Sequence, residues 1–263
     1  MFAYFGYGSN INLVSLRAKG VTPISSERGI LYGWKLKFNV QHWFHHEGGV
    51  GNIERASADD KVEGMVHICQ DEHLAPLDAV ESYGVGYDRI IVEPETNNGT
   101  TKAWTYVGLP AFINNGLFPT QRYLNIIIKG AEAAGLSQPY IDKLRHHPIF
   151  PEKDYPEFQF PSDNGQTFTK NSLALHPYLT SISGAVFDMR GARSELASIS
   201  GLLGGKDMTL FFCKRHDTSD GTETMADILN GRITTAAKKY LDAYLHEFAK
   251  EFQYAGRMEY DSI

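Results

Sequence analysis

Residues 2–10 read FAYFGYGSN: Phe2, Tyr4, Phe5 and Tyr7 crowd six positions, and the run stops at Gly8-Ser9-Asn10. Such a start reads as a clipped targeting segment, a buried first strand, or the wall of a binding site. Aromatic side chains favour a pleated, half-buried surface, which predicts a short strand broken at Gly8. The following SNINLVSLRAKG reads as a turn and short helix, with Ser9 or Asn10 as cap, Leu13 and Leu16 three apart, and Gly20 at the end. A strand–turn–helix of this kind aims backbone N–H groups and two small polar side chains at one place, which suits a carboxylate or phosphate. The same residues also read as an ordinary capped turn.

Outward from this bend, the 263 residues predict one large or two small domains. Hydrophobic residues make up 42% and charged residues 21%, a globular composition able to build a core. A net charge of −6 argues against a nucleic-acid or anionic-membrane surface. Cys69 and Cys213 follow no metal-like spacing and are expected as reduced thiols. No basic targeting segment precedes the aromatic run, and no apolar stretch approaches the roughly 18 residues of a membrane span. The expected location is therefore cytoplasmic. The Asn98-Gly99-Thr100 triplet is expected to stay unglycosylated.

Strands are predicted in GILYGWKLKFNV (29–40), read as one alternating run, and in GNIERA and KVEGMVHICQ. A helix follows in DEHLAPLDAVESYG, then a hairpin around Asn97-Asn98-Gly99. PTQRYLNIIIKGAEAAGL and QPYIDKLRHH read as helices. Residues 148–172 gather Pro148, Pro151, Pro156 and Pro161 and predict a linker, held to a surface by Phe150, Phe158 and Phe160. Beyond it lie a strand pair in LTSISGAVFDM and a long helix from Thr234 to about Tyr254.

Glu81 closes the helix before SYGVGY. In a pocket walled by Tyr7, Tyr83 or Tyr87, a carboxyl group is a usable acid/base; in the open it is a solvated helix-end glutamate. His42, His45, His46 and Glu47 have metal-binding residue types, but adjacent strand residues face opposite sides, so no metal is expected. His146 and His147 follow a helix end, where a cation complements the dipole. GLLGGKD lacks the spacing of a phosphate-binding loop.

YFGYGSN, followed some seventy residues later by LDAVESYGVGYDRIIV, resembles the γ-glutamylcyclotransferase family. GGVGNIERA, VEGMVHIC, AWTYVG and PTQRYLNIIIKGAEAAGL extend the resemblance across residues 1–147. It implies an α+β fold, with a small mixed β-barrel and surrounding helices, joined to a smaller C-terminal α+β domain. It implies that Tyr7, Gly8, Ser9 and Asn10 hold the α-carboxylate of a γ-glutamyl group, that Glu81 is the catalytic acid/base, and that Tyr87, Tyr106 and Tyr123 line the pocket. The implied reaction closes the γ-glutamyl group to 5-oxoproline and expels an amine, with no metal or cofactor. The substrate is then a small γ-glutamyl compound.

The stretches SISGAVFDM, GGKDMTLFF and FQYAGR resemble the cytochrome b5-like haem/steroid-binding domain over 173–263. Where that family places a tyrosine-rich haem contact, this chain reads SELASISGLLGG, without tyrosine, histidine or methionine. A scaffold without haem is expected, docking an apolar ligand or a protein partner. The alternative for the whole chain is a binding module that holds a small anion without turnover.

Overall fold

The computed structural model describes residues 1–162 and 166–260. The aromatic start is a buried strand, β1 (Phe2–Gly6). Its alternation sends Tyr4 and Phe5 into two different cores, which is why both faces of so short a strand are aromatic. After Gly6 the chain makes a single turn of 3₁₀ helix over Ser9–Ile11, then α1 (Leu13–Ala18). Neither Ser9 nor Asn10 caps α1: Asn12 does, accepting from the N–H groups of Val14 and Ser15. Ser9 and Asn10 turn their side chains elsewhere, as described below.

The expected strand 29–40 is two strands, β2 (Ser25–Tyr32) and β3 (Trp34–Gln41). Gly33, at φ +76, makes the break, a conformation that a residue with a Cβ adopts poorly. The two halves join different sheets. β3 pairs with β4 (Gly49–Arg55) alone, while β2 lies antiparallel to β5 (Lys61–Cys69). Then come α2 (Leu74–Val80), β6 (Tyr87–Val92), β7 (Glu95–Thr96), β8 (Gly99–Thr100) and β9 (Ala103–Gly108). The predicted hairpin is thus β6 against β9, with the short β7–β8 pair at its tip. Two helices, α3 (Gln121–Ala133) and α4 (Gln138–Arg145), follow; Thr120 and Ser137 cap them.

The sheet order is β6-β9-β1-β5-β2-β7-β8, mixed because β1 runs parallel to β9 and antiparallel to β5. Phe5, Leu31, Val66 and Val92 of this sheet, with Tyr7 of the bend, share one core with Trp34 and Ile53 of the β3–β4 pair, so the sheet curls as a half-barrel. Tyr4, Leu16, Leu77 and Tyr106 form a second core under α1 and α2. A third joins α3 and α4 to Ile11, Phe38 and Met65.

The chain divides into two compact units, Met1–Glu152 and Lys153–Ile263. The second contains β10 (Gln166–Phe168), α5 (Lys170–Ala174), β11 (Leu179–Ile182), β12 (Ala185–Asp188), α6 (Ser200–Leu203) and β13 (Lys206–Asp207). It continues through α7 (Thr209–Lys214), α8 (Met225–Leu229), α9 (Thr235–Glu251) and β14 (Gln253–Met258). Its sheet runs β10-β14-β12-β11-β13. The expected linker therefore holds a strand and the start of a helix, and its Tyr155 donates to Glu247 of α9 at 2.7 Å. The long helix stops at Glu251, not near Tyr254, because residues 253–258 are claimed by the sheet. Among the described residues, no helix is long and apolar enough to cross a membrane.

Candidate active site

The bend after β1, the end of α2 and the start of β6 converge. Glu81 is the C-cap of α2, its N–H directed back to Ala79 and Leu77. Ser82, next in the chain, is a non-glycine residue at φ +50, buried at 6%, with no partner for its hydroxyl. A strained backbone of this kind persists only where its surroundings hold it, and such residues concentrate at functional sites. The Glu81 side chain is 15% exposed, and its Oε1 accepts from Asn10 Nδ2 at 2.9 Å. The expected acid/base and the expected substrate bend therefore touch.

Asn10 is fully engaged. Its Nδ2 also donates to the Tyr4 hydroxyl at 2.6 Å, and its Oδ1 accepts from Lys19 Nζ at 2.5 Å. The same ammonium donates to Ser9 Oγ at 3.1 Å and stands 3.7 Å from Glu81 Oε1. These bonds explain why Ser9 and Asn10 do not cap α1. Beneath them, His67 is wholly buried. One ring nitrogen, Nε2, lies 2.9 Å from the Asn10 carbonyl oxygen, and Nδ1 lies 2.7 Å from Ser26 Oγ. A carbonyl can only accept, so Nε2 carries the hydrogen and Nδ1 accepts the serine O–H. Burial lowers the imidazole to about 4, only partly offset by the bond to Asn10.

Four expected residues meet around the peptide of Gly51. The Tyr87 hydroxyl donates to its carbonyl at 2.7 Å, and its N–H donates to the Tyr123 hydroxyl at 3.1 Å. Tyr7 donates to the Tyr106 carbonyl at 2.6 Å and lies 3.5 Å from the Gly51 carbonyl. A Cβ on Gly8 would stand 3.1 Å from the Tyr123 oxygen. Burial, with the Glu81 charge as a further cause, pushes Tyr4, Tyr7, Tyr87 and Tyr123 upward, so these phenols stay neutral at ordinary pH.

Tyr106 sits differently from the other tyrosines. Its ring packs edge-on against Tyr4, and its hydroxyl donates to Asp78 at 2.5 Å. Asp78 also takes two bonds from Arg89, whose guanidinium lies over the rings of Tyr83 and Trp104. Tyr106 therefore ties α2 to the sheet and does not end at the Glu81 carboxylate. Elsewhere, Glu47 pairs with Arg122, His45 with Gln41, and His42 with the backbone of Phe44.

Lys19, His67, Tyr4, Asp78 and Gly51 were not singled out from sequence. Lys19 precedes Gly20 and reads as a routine last-turn cation. A cavity of about 330 Å³ opens elsewhere, lined by Arg28, Lys61, Glu63, Glu95, Asn97 and Ser137 among others. It contains none of these residues. At Glu81 a carboxylate, a buried cation and strained backbone coincide.

The curled mixed sheet is similar to that of known proteins. The AIG2-like family model matches residues 61–144, from β5 through α4. A solved γ-glutamyl cyclotransferase is similar at 26% identity and a TM-score of 0.50, covering 57% of this chain and 89% of its own. An uncharacterized protein from Homo sapiens is similar at 26% identity and a TM-score of 0.51, covering 59% and 92%. No curated protein matches the chain.

Proposed function

We propose that residues 1–152 form a γ-glutamylcyclotransferase-like enzyme that closes a γ-glutamyl amide or peptide to 5-oxoproline and releases an amine. The observation that carries this reading is the 2.9 Å bond between Glu81 and Asn10, which sets one shielded carboxylate against the bend. The substrate brings its own nucleophile. Glu81 takes a proton from the α-ammonium, and the freed amine attacks the side-chain carbonyl carbon, closing a five-membered ring. The proton passes to the departing nitrogen as the old C–N bond breaks; the ring nitrogen then gives up its second surplus proton through Glu81 to the released amine, which leaves as an ammonium, and Glu81 returns to its starting state.

The remaining residues hold the bent substrate, which supplies the proximity contribution. Tyr7 and Tyr87 spend their hydrogens on backbone carbonyls, so they shape the wall. Tyr123 accepts from Gly51 and stands in the same wall.

For the second unit we propose the cytochrome b5-like scaffold without haem. The resembling residues fall on β12, β13 and β14 of one sheet. Haem does not fit: residues 194–205 offer no tyrosine, histidine or methionine. The nearest histidines in sequence are engaged, His176 with Tyr178 and His216 with Thr218. An apolar ligand or a protein partner is the proposed occupant.

The test is release of 5-oxoproline from a panel of γ-glutamyl amines and peptides. Wild type is expected to turn over at least one, and Glu81→Gln to lose about 10²-fold or more while keeping its melting temperature. Binding of γ-glutamyl compounds with no product from any of them would leave the anion-binding module as the better reading.

A further inference from the structure

We infer that Lys19 is a positioning residue for Glu81, its ammonium keeping the acid/base in the carboxylate form that begins the reaction. This rests on the cyclotransfer reading above. Residue Lys19 is 8% exposed, although it follows the last turn of a short surface helix. A lysine there ordinarily extends into water. This one instead folds under the bend, reaching Ser9 Oγ, Asn10 Oδ1 and, at 3.7 Å, Glu81 Oε1.

The geometry does two things. First, the ammonium can only donate, so it fixes the Asn10 amide with its oxygen inward and its NH₂ toward Glu81. Second, it sets a positive charge beside a carboxylate that is largely removed from water. When Glu81 holds the substrate's proton, the Lys19–Glu81 ion pair is lost. The pair is restored as the proton moves to the leaving nitrogen, so Lys19 assists the second transfer.

Other groups facing Glu81 do not substitute for it. Tyr4 from β1, Tyr7 from the bend, Tyr87 from β6, Tyr106 from β9 and Tyr123 from α3 all stay neutral. His67 reaches the Asn10 carbonyl and Ser26, not Glu81, and burial, lowering it to about 4, keeps it neutral at ordinary pH. Asp78, one turn back on α2, is held by Arg89 and Tyr106.

The experiment uses the full chain as wild type, Lys19→Gln and Lys19→Arg. Lys19→Gln keeps N–H donors for Ser9 and Asn10 but removes the charge; Lys19→Arg restores the charge. The pH–rate profile of 5-oxoproline release is measured, and the side-chain carboxyls are titrated by ¹³C NMR, with Glu81→Gln identifying the Glu81 signal. In Lys19→Gln, the acid limb and the Glu81 signal are expected to move to higher pH by about one unit or more, with Lys19→Arg close to wild type. An unmoved limb and an unmoved signal in Lys19→Gln would overturn the assignment. If wild type turns over nothing, cyclotransfer falls, and the carboxyl titration alone decides the pairing.

Discussion

A buried histidine with one hydrogen to give and one lone pair to offer is complete as it stands; His67 has no place for a second proton. Its folded value, about 4, lies below the ordinary value near 6.5. The unfolded chain therefore takes up a proton first as pH falls. The contribution to stability is fully present above about pH 6.5, declines as pH drops, and is lost by about pH 4, a change of about 3 kcal/mol. Urea unfolding across that window is expected to show the decline, and His67→Gln to flatten it. At this scale the sequence was legible where residue type and local pattern coincide. Glu81 ends an apolar helix beside glycines, and Tyr7-Gly8-Ser9-Asn10 ends an aromatic strand. Lys19 and His67 were not legible, because their meaning lies in partners on other elements: Glu81 is 62 positions from Lys19, and Asn10 is 57 from His67. No periodicity carries such pairings.

The elements hold the bend by close approach. Gly130, in the middle of α3, faces the backbone of Asn12, where a Cβ would stand 2.6 Å from the Asn12 nitrogen and 2.8 Å from its Cα. Gly130→Ala improves intrinsic helix propensity by about 1 kcal/mol. Overpacking against backbone opposes this at about 1–3 kcal/mol, so the net expectation is destabilisation. Denaturant unfolding checks the sign, and γ-glutamyl turnover should fall too, because α3 would be pushed from the bend that carries Asn10. Element type was legible where caps and periodicity agreed, as in α3 with Thr120 before it and Gly135 after it. It was less legible across Gly33, where alternation continued through a residue that turns the chain into another sheet. It also failed at 253–258, where a helical run gave way to a strand whose partners, β10 and β12, lie far back in sequence.

The whole molecule divides after Glu152, and the position of that division matters. Phe150 donates its N–H to the Pro119 carbonyl at 2.8 Å and sets its ring where a Cβ on Gly48 would meet it at 3.2 Å. His147 meets Phe38 edge-on. The proline-rich reading placed the boundary at 147 because proline marks irregular backbone, but irregular backbone can still pack. Each unit has a core of its own, so residues 1–152 are expected to fold cooperatively in isolation. A chain ending at residue 147 should be less stable by about 1–2 kcal/mol through loss of Phe150 burial. Thermal melts of the two truncations make the comparison.

Strand β1 lies inside its sheet, bonded to β5 on one side and β9 on the other, and the bend bearing Asn10 leaves directly from it. Strands so placed open only when a domain opens as a whole, so their amide hydrogens exchange with solvent slowly. The bend, our proposed cradle for a ligand, is thereby moored to backbone expected to exchange slowly, and a ligand entering it would have to fit a shape already set.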